Sequence, residues 1–182
     1  LNRSRDEQTE LDLIDAKAAC LTDLGRTGEA ETWLTDLSRP GRIHDAERLL
    51  YLRALAADRE ADRLERGSGR PADRSRAIAF IEQLLDLNPF HAQALNHIGY
   101  TWADQGVRLD AALRHIKLAL ALDPESAYVT DSLGWVYYRL GDLERAAALL
   151  ARADVLSPAE PEIILHLATV LAAQGQFERA VT

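Results

Sequence analysis

Apolar residues recur in the second half of the chain at the spacing that places them on one side of an α-helix. From Ala127 to Leu156 the apolar positions fall three or four residues apart, with one break at Gly141 and Asp142. This spacing predicts two amphipathic helices joined by a short turn, each with one face toward a core. The positions expected to face that core are Leu133, Val136, Tyr137 and Leu140 in the first helix and Ala146, Leu149, Leu150 and Ala153 in the second.

The same spacing extends in both directions and predicts an all-α protein. Toward the N-terminus, a helix pair is expected within residues 6–38, followed by one long helix at about 43–65. The segments Ser38–Arg42 and Gly67–Arg74 contain Gly, Pro and Ser, so the first is expected to be a turn and the second a loop. The remaining helices are predicted at about 77–88, 92–105, 109–122, 127–140, 143–156 and 161–174.

Four kinds of residue recur at nearly fixed positions in these helices. Successive members of each set are 34 or 35 residues apart. A small residue in the first helix of each pair lets two backbones approach closely, a glycine ends that helix, and a proline ends the second helix. The sets are Gly99, Gly134 and Ala168; Gly106, Gly141 and Gly175; Ala112, Ala146 and Ala180; and Pro89, Pro124 and Pro158.

These residues, in this order and at a period near 34, resemble the tetratricopeptide repeat (TPR). The resemblance implies a TPR-type right-handed α-solenoid of antiparallel helix pairs. The first helix of each pair (helix A) would line a concave groove, and the second (helix B) would lie outside it. We expect a single array over residues 1–182, with units at about 6–38, 43–88 (irregular), 92–122, 127–156 and 161–182 (truncated).

Two sequence segments resemble a more specific group of TPR proteins. The sequences ALNHIGYTWAD, from Ala94, and DSLGWVYYRLGD, from Asp131, resemble the C-terminal repeats of bacterial TPR proteins. These include outer-membrane lipoprotein adaptors that present substrates to a periplasmic processing protease. That resemblance implies a periplasmic, outer-membrane-associated location; without it, a cytoplasmic location is expected.

The resemblance also implies that exposed residues of helix A bind a peptide or a partner protein. Trp135 directly follows the small residue of its helix and lies on a different side from Leu133 and Tyr137. Trp, Tyr and Arg are the residue types that dominate binding hot spots. The alternative is that Trp135 and Tyr138 only pack between neighbouring helices. The candidate groove residues are Gln93, Asn96, Tyr100, Asp104, Tyr128, Asp131, Trp135, Tyr138 and Arg139.

One TPR subgroup grips C-terminal carboxylates with a clamp of Lys, Arg and Asn. In this sequence the clamp positions hold Asn96, Tyr100, Ser132, Glu162 and His166. Of these only Asn96 is close to the required chemistry, and Glu162 would repel an acidic tail. Binding of chaperone tails is therefore not expected.

Composition argues against several other function classes. The chain has 182 residues, 47% of them hydrophobic, and a net charge of −8. Nucleic-acid binding needs concentrated Lys and Arg, so it is not expected. No segment reaches the roughly 18 uninterrupted apolar residues of a membrane span.

Catalytic and metal chemistry are not expected either. The five histidines include no pair at i, i+4 and have no supporting Cys cluster. No nucleophile has a base partner, and the carboxylates follow the polar helix faces. We therefore expect no metal, no cofactor and no enzymatic activity. Cys20 is the only cysteine, and its spacing to Ala16 and Leu24 predicts a position on the apolar face of a helix.

Two further functions stay open. The last helix pair is interrupted, which would expose Ile164, Leu167, Val170 and Leu171 for pairing with a second copy of the chain. The chain also contains no Met and stops inside a predicted helix, so we expect it to be a piece of a longer protein. In that protein the repeats could be an arm attached to an enzyme domain.

Overall fold

The structure is a computed structural model that describes residues 5–37, 45–69 and 71–175. Over these ranges the chain forms nine α-helices and no β-strand, which confirms the all-α class. The helices are α1 Arg5–Asp23, α2 Thr27–Leu37, α3 Ala46–Ser68, α4 Ser75–Leu87, α5 Ala92–Asp104, α6 Leu109–Leu122, α7 Ala127–Arg139, α8 Leu143–Leu156 and α9 Pro161–Ala173.

The chain divides into two compact units, Leu1–Pro89 and Phe90–Thr182, called here the N-terminal and C-terminal units. In the N-terminal unit α1 packs against α2 and α3, and α4 packs along α3. The core between the first three helices is apolar, as their amphipathic pattern requires. It contains Ile14, Ala18, Leu34, Leu49 and Leu52.

Ion pairs also connect α3 and α4 in the N-terminal unit. Arg74, which precedes α4, lies 3.1 Å from Oδ1 of Asp58 on α3. Arg76 of α4 lies 3.2 Å from Oε2 of Glu60, also on α3. Charged contacts therefore accompany apolar packing in this irregular part of the repeat pattern.

Helix α3 begins and ends later than predicted. It runs Ala46–Ser68 rather than about 43–65 because the Asp45 side chain accepts a hydrogen bond from the Arg48 backbone N–H at 3.0 Å. The helix continues through Gly67 and ends at Gly69, whose φ is 64°. The loop predicted from Gly67 onward is therefore shorter than expected.

Helix α1 buries a different side from the one expected. Ile14, Ala18 and Thr22 are buried, whereas Leu24 is 64% exposed and Cys20 is exposed. The two sets are offset by two residues, which is about 200° around a helix. The prediction that Cys20 lies on the apolar side is therefore wrong.

In the C-terminal unit, α5 pairs with α6 and α7 pairs with α8, while α7 also contacts α5 and α9. The α7–α8 pair is close because Gly134 has no side chain. A Cβ added there would lie 2.7 Å from Cγ of Leu150 and 3.3 Å from the carbonyl oxygen of Ala146. Gly99 faces Ile116 in the same way between α5 and α6. The predicted role of the small residue is confirmed at both positions.

Side-chain caps and glycines set the ends of these helices. The side chains of Ser126 and Asp142 accept hydrogen bonds from backbone N–H groups at the starts of α7 and α8. Gly106 and Gly141, which follow α5 and α7, have φ values of 69° and 84°. The α5–α6 turn is one residue longer than the α7–α8 turn, and Arg108 in the longer turn has a φ of 48°.

One residue expected in the core lies outside it. Leu140 is 40% exposed because α7 ends at Arg139 and Leu140 is the C-cap residue beside Gly141. The predicted turn Ser38–Arg42 and the predicted helix beyond Gly175 lie outside the described residues.

The exposure predicted for the last helix is also partly wrong. Val170 and Leu171 are buried, since Val170 packs against Ala146 and Leu150 of α8. Ile164 is 48% exposed, as expected. The apolar surface that α9 presents is therefore smaller than the sequence suggested.

Candidate functional site

The A helices of the C-terminal unit bring four aromatic rings together. Tyr100 lies on α5, Trp135 and Tyr138 lie on α7, and His166 lies on α9. Tyr100, Trp135 and Tyr138 are half-buried, whereas His166 is buried. We call the surface formed by these four residues the aromatic face.

The rings of the aromatic face form a continuous series across three helices. The ring of Trp135 stacks on that of His166, with centroids 4.2 Å apart and planes inclined by 20°. The Tyr138 ring lies 4.8 Å from Trp135, and the Tyr100 ring lies 6.1 Å from His166. Trp135 therefore packs between α7 and α9, Tyr138 packs against buried residues of α8 and α9, and both keep an accessible part.

A buried hydrogen bond holds the His166 ring in place. Its Nδ1 lies 3.0 and 2.9 Å from the two carboxylate oxygens of Asp131 on α7, and both residues are at most 5% exposed. An ionised carboxylate can only accept, so Nδ1–H donates. This bond fixes the ring plane on which Trp135 stacks. Asp131, one of the expected groove residues, is thus buried beneath the aromatic face and orients the His166 ring.

Two tyrosines pair with carboxylates at the start of α9. The hydroxyl of Tyr100 donates to Oε1 of Glu162 at 3.2 Å, and that of Tyr128 donates to Oε2 of Glu160 at 3.3 Å. Burial and the charge of Glu162 raise the pKa of Tyr100. The charge of Glu160 raises the pKa of Tyr128. Both hydroxyls therefore stay protonated and donate to the glutamates.

Arg139, another expected groove residue, caps a neighbouring helix. Its guanidinium donates to the backbone carbonyl of Asp104, 2.5 Å away, at the end of α5. Gly106 leaves the space for this contact, since a Cβ there would lie 2.5 Å from the guanidinium. Orphan carbonyls at a helix end are stabilised by such cationic donors. The role that the structure gives Arg139 is therefore structural.

The remaining expected residues lie around these contacts. Gln93 and Asp104 are exposed on α5, Tyr128 is 55% exposed on α7, and Asn96 is half-buried. Two polar atoms, Nε1 of Trp135 and Oδ1 of Asn96, are buried without a hydrogen-bond partner in the described part of the chain. Such atoms are uncommon because leaving them unpaired is costly.

The sequence prediction did not include His166, Glu160 or Glu162 among the groove residues. His166 and Glu162 were considered only as positions of a carboxylate clamp that this chain does not reproduce. The available signal was spacing: Asp131 and His166 are 35 residues apart, close to one repeat. A carboxylate and an imidazole at that separation, on successive A helices, can meet.

The described residues contain neither a candidate metal site nor a helix able to cross a membrane. His, Cys, Asp and Glu form no group of three or more that could hold a metal ion over residues 5–37, 45–69 and 71–175. Across the same ranges, no helix combines the length and apolar character needed to cross a membrane.

Comparisons with known proteins identify repeats of the same kind. A family model for the tetratricopeptide repeat matches residues 138–182. A Pseudomonas aeruginosa protein described as a TPR repeat-containing protein is 31% identical over 171 residues, which cover 92% of this chain and 26% of that protein. Protein O-mannosyl-transferase Tmtc3 of Drosophila melanogaster is 34% identical over 103 residues, covering 57% of this chain and 11% of that protein. The chain spans about a quarter or less of these relatives.

Solved structures share the fold. MamA from Desulfovibrio magneticus RS-1, residues 41 to the end, matches with a TM-score of 0.68 at 20% identity, covering 94% of this chain and 89% of that one. A MamA AMB-1 structure matches with a TM-score of 0.57 at 18% identity, covering 96% and 87%. These likenesses confirm the TPR-type helical solenoid predicted from the repeat spacing.

Proposed function

Because the chain belongs to the tetratricopeptide-repeat family, we propose that it is a protein-interaction scaffold whose aromatic face binds a segment of a partner protein. The observation that carries this proposal is the series of rings shared by α5, α7 and α9. Tyr100, Trp135 and Tyr138 present large, rigid rings that remain half-exposed. Such side chains supply contact area at low conformational cost.

The face is preorganised for binding. Asp131 fixes His166, His166 supports Trp135, and Glu162 of α9 reaches Tyr100 of α5 across the intervening helix α7. Because side chains of α5 and α9 meet across α7, the surface formed by these three helices is concave on the side that carries the rings. A partner would therefore meet a formed surface, which reduces the entropic cost of association.

The proposal is tested by comparing the proteins that this chain and its variants retain from a lysate of the source organism. In the test variant Trp135→Ala is combined with Tyr138→Ala. In the control, Leu122→Ala is combined with Val155→Ala, since these side chains are 44% and 78% exposed on B helices. Partners should be retained by the wild type and the control and reduced at least about tenfold by the test variant.

Loss of folding must be separated from loss of binding. The combined Trp135→Phe and Tyr138→Phe variant keeps aromatic packing, so it should retain helicity and part of the binding. If the alanine variant is folded by circular dichroism and retains the same proteins as the wild type, the aromatic face is not the binding surface.

Self-association through α9 is a second candidate. Ile164 is 48% and Leu165 is 64% exposed on adjacent positions of that helix, so an apolar surface remains although Val170 and Leu171 are buried. Light scattering over a concentration series tests this directly. A molar mass that stays at that of one chain excludes the candidate, whereas a rise that Leu165→Glu abolishes supports it.

We also propose that the chain acts without catalytic activity of its own. The relative named as an O-mannosyl-transferase matches over only 11% of its length. The named activity therefore belongs to that whole protein, and the shared segment is compatible with a repeat arm attached to an enzyme. Assay of the isolated chain with a mannosyl donor and an acceptor protein should show no transfer.

A further inference from the structure

Charge is distributed unevenly between the A and B helices of the C-terminal unit. The A helices α5, α7 and α9 carry Asp104, Asp131 and Glu162 but a single Lys or Arg, Arg139, which is bound to the end of α5. The B helices α6 and α8 carry a near balance of Arg114, Lys117, Arg145 and Arg152 with Asp110, Glu144 and Asp154. Asp131 is buried against His166, so the exposed carboxylates of these A helices are Asp104 and Glu162. A complementary partner is therefore positive.

The negative groups lie next to exposed ring surface. Glu162 is exposed beside Tyr100, and Glu160 lies beside Tyr128, which is 55% exposed. The tyrosine hydroxyls hold both carboxylates in place. A Lys or Arg side chain at this position could lie over a tyrosine ring and bond to a carboxylate at the same time. Neutral or acidic side chains would gain neither contact.

We propose that the segment bound on the aromatic face is cationic, with a Lys or Arg side chain between Tyr100–Glu162 and Tyr128–Glu160. This inference rests on the proposed function and specifies the chemistry of the partner. The rings supply contact area, and the two glutamates select positive side chains.

A random peptide library displayed on phage, selected against the whole chain at low salt, tests the inference. Enriched peptides should be richer in Lys and Arg than the unselected library and should elute as salt is raised, since charge pairs are screened. Enrichment of neutral or acidic peptides that are lost with Trp135→Ala overturns the cationic partner and leaves the scaffold function standing. Failure of any peptide to bind contradicts both.

Two variants with the same change in net charge test whether binding depends on Glu160 and Glu162 themselves. The combined Glu160→Gln and Glu162→Gln variant keeps acceptors for the tyrosine hydroxyls but removes two charges. The control, Glu144→Gln with Asp154→Asn on α8, makes the same change in net charge. Fluorescence anisotropy with a labelled peptide of alternating Lys and Ala should show about fivefold weaker binding for the first variant only. Equal weakening in both would mean that net charge drives binding, which contradicts the proposed position.

Discussion

His166 and Asp131 are hydrogen bonded inside the C-terminal unit, with Nδ1 2.9 Å from Oδ2, although they are 35 residues apart. Each belongs to a different A helix, so the bond joins α7 to α9. Trp135 stacks on the ring that this bond orients. The orientation of the exposed rings therefore depends on a buried polar contact beneath them.

The first prediction concerns this contact. Asp131→Ala would leave a buried imidazole N–H without an acceptor, at a cost of about 1–3 kcal/mol in the free energy of unfolding. Asp131→Asn keeps an acceptor and should recover part of that loss. Urea denaturation followed by circular dichroism gives both values. The exposed Asp104→Ala should change stability by less than about 0.5 kcal/mol.

A result in which Asp131→Ala and Asp104→Ala have equal stabilities would show that the hydrogen bond contributes nothing to folding. A loss of stability without rescue by Asp131→Asn would indicate that the negative charge, rather than the acceptor, is required. Asp131→Ala should also disorder the Trp135 ring, which stacks on His166, and this is measurable as a change in near-UV circular dichroism.

The second prediction uses two glycines in different surroundings. Gly134→Ala would place a Cβ 2.7 Å from Cγ of Leu150, so α7 and α8 must separate, and we expect a loss of about 1–3 kcal/mol. Gly28→Ala meets no atom within 4 Å in helix α2 and should stabilise by about 0.5–1 kcal/mol. Thermal unfolding of both variants checks the pair. Equal effects would contradict the close approach at Gly134.

The repeat positions were predictable because each follows from a requirement within one helix pair. Gly141 is selected by its positive φ, which is a local backbone property. Gly134 is selected by the close approach of the next helix of its own pair. Helix bounds were less predictable where a cap decided them, as at Asp45 before α3.

The candidate site was predictable only in part. Trp135 and Tyr138 could be selected by residue type and helix face, but the burial of Asp131 depends on the way α9 packs against α7. That packing is a tertiary property. In a single sequence, only the 35-residue separation of Asp131 and His166 indicates that they could meet. The contact of Arg139 with the end of α5 was not predictable for the same reason, since it requires the position of another helix.

A third prediction follows for Arg139. Arg139→Ala removes the guanidinium that bonds to the Asp104 carbonyl, so the last turn of α5 should open more often. Hydrogen exchange of amides near residues 101–105 should become about fivefold faster, in line with the loss of one cap interaction of about 1 kcal/mol. The control Arg114→Ala changes an exposed residue of α6. If the exchange rates of these amides are unchanged in Arg139→Ala, the cap interaction does not stabilise α5, and a binding role for Arg139 becomes the better explanation.

The last prediction concerns alkaline pH. Burial and the charge of Glu162 raise the pKa of Tyr100 in the folded chain, whereas the unfolded chain has the ordinary tyrosine value of about 10. The unfolded state therefore loses its proton first, so the stabilisation is complete below about pH 10 and is lost as pH rises further. Tyr100→Phe should lose less stability than the wild type between about pH 9 and 11, and Glu162→Gln should show an intermediate loss. Urea denaturation at each pH measures this, and identical losses in all three proteins would show that the Tyr100 hydroxyl has the same pKa in the folded and unfolded chains.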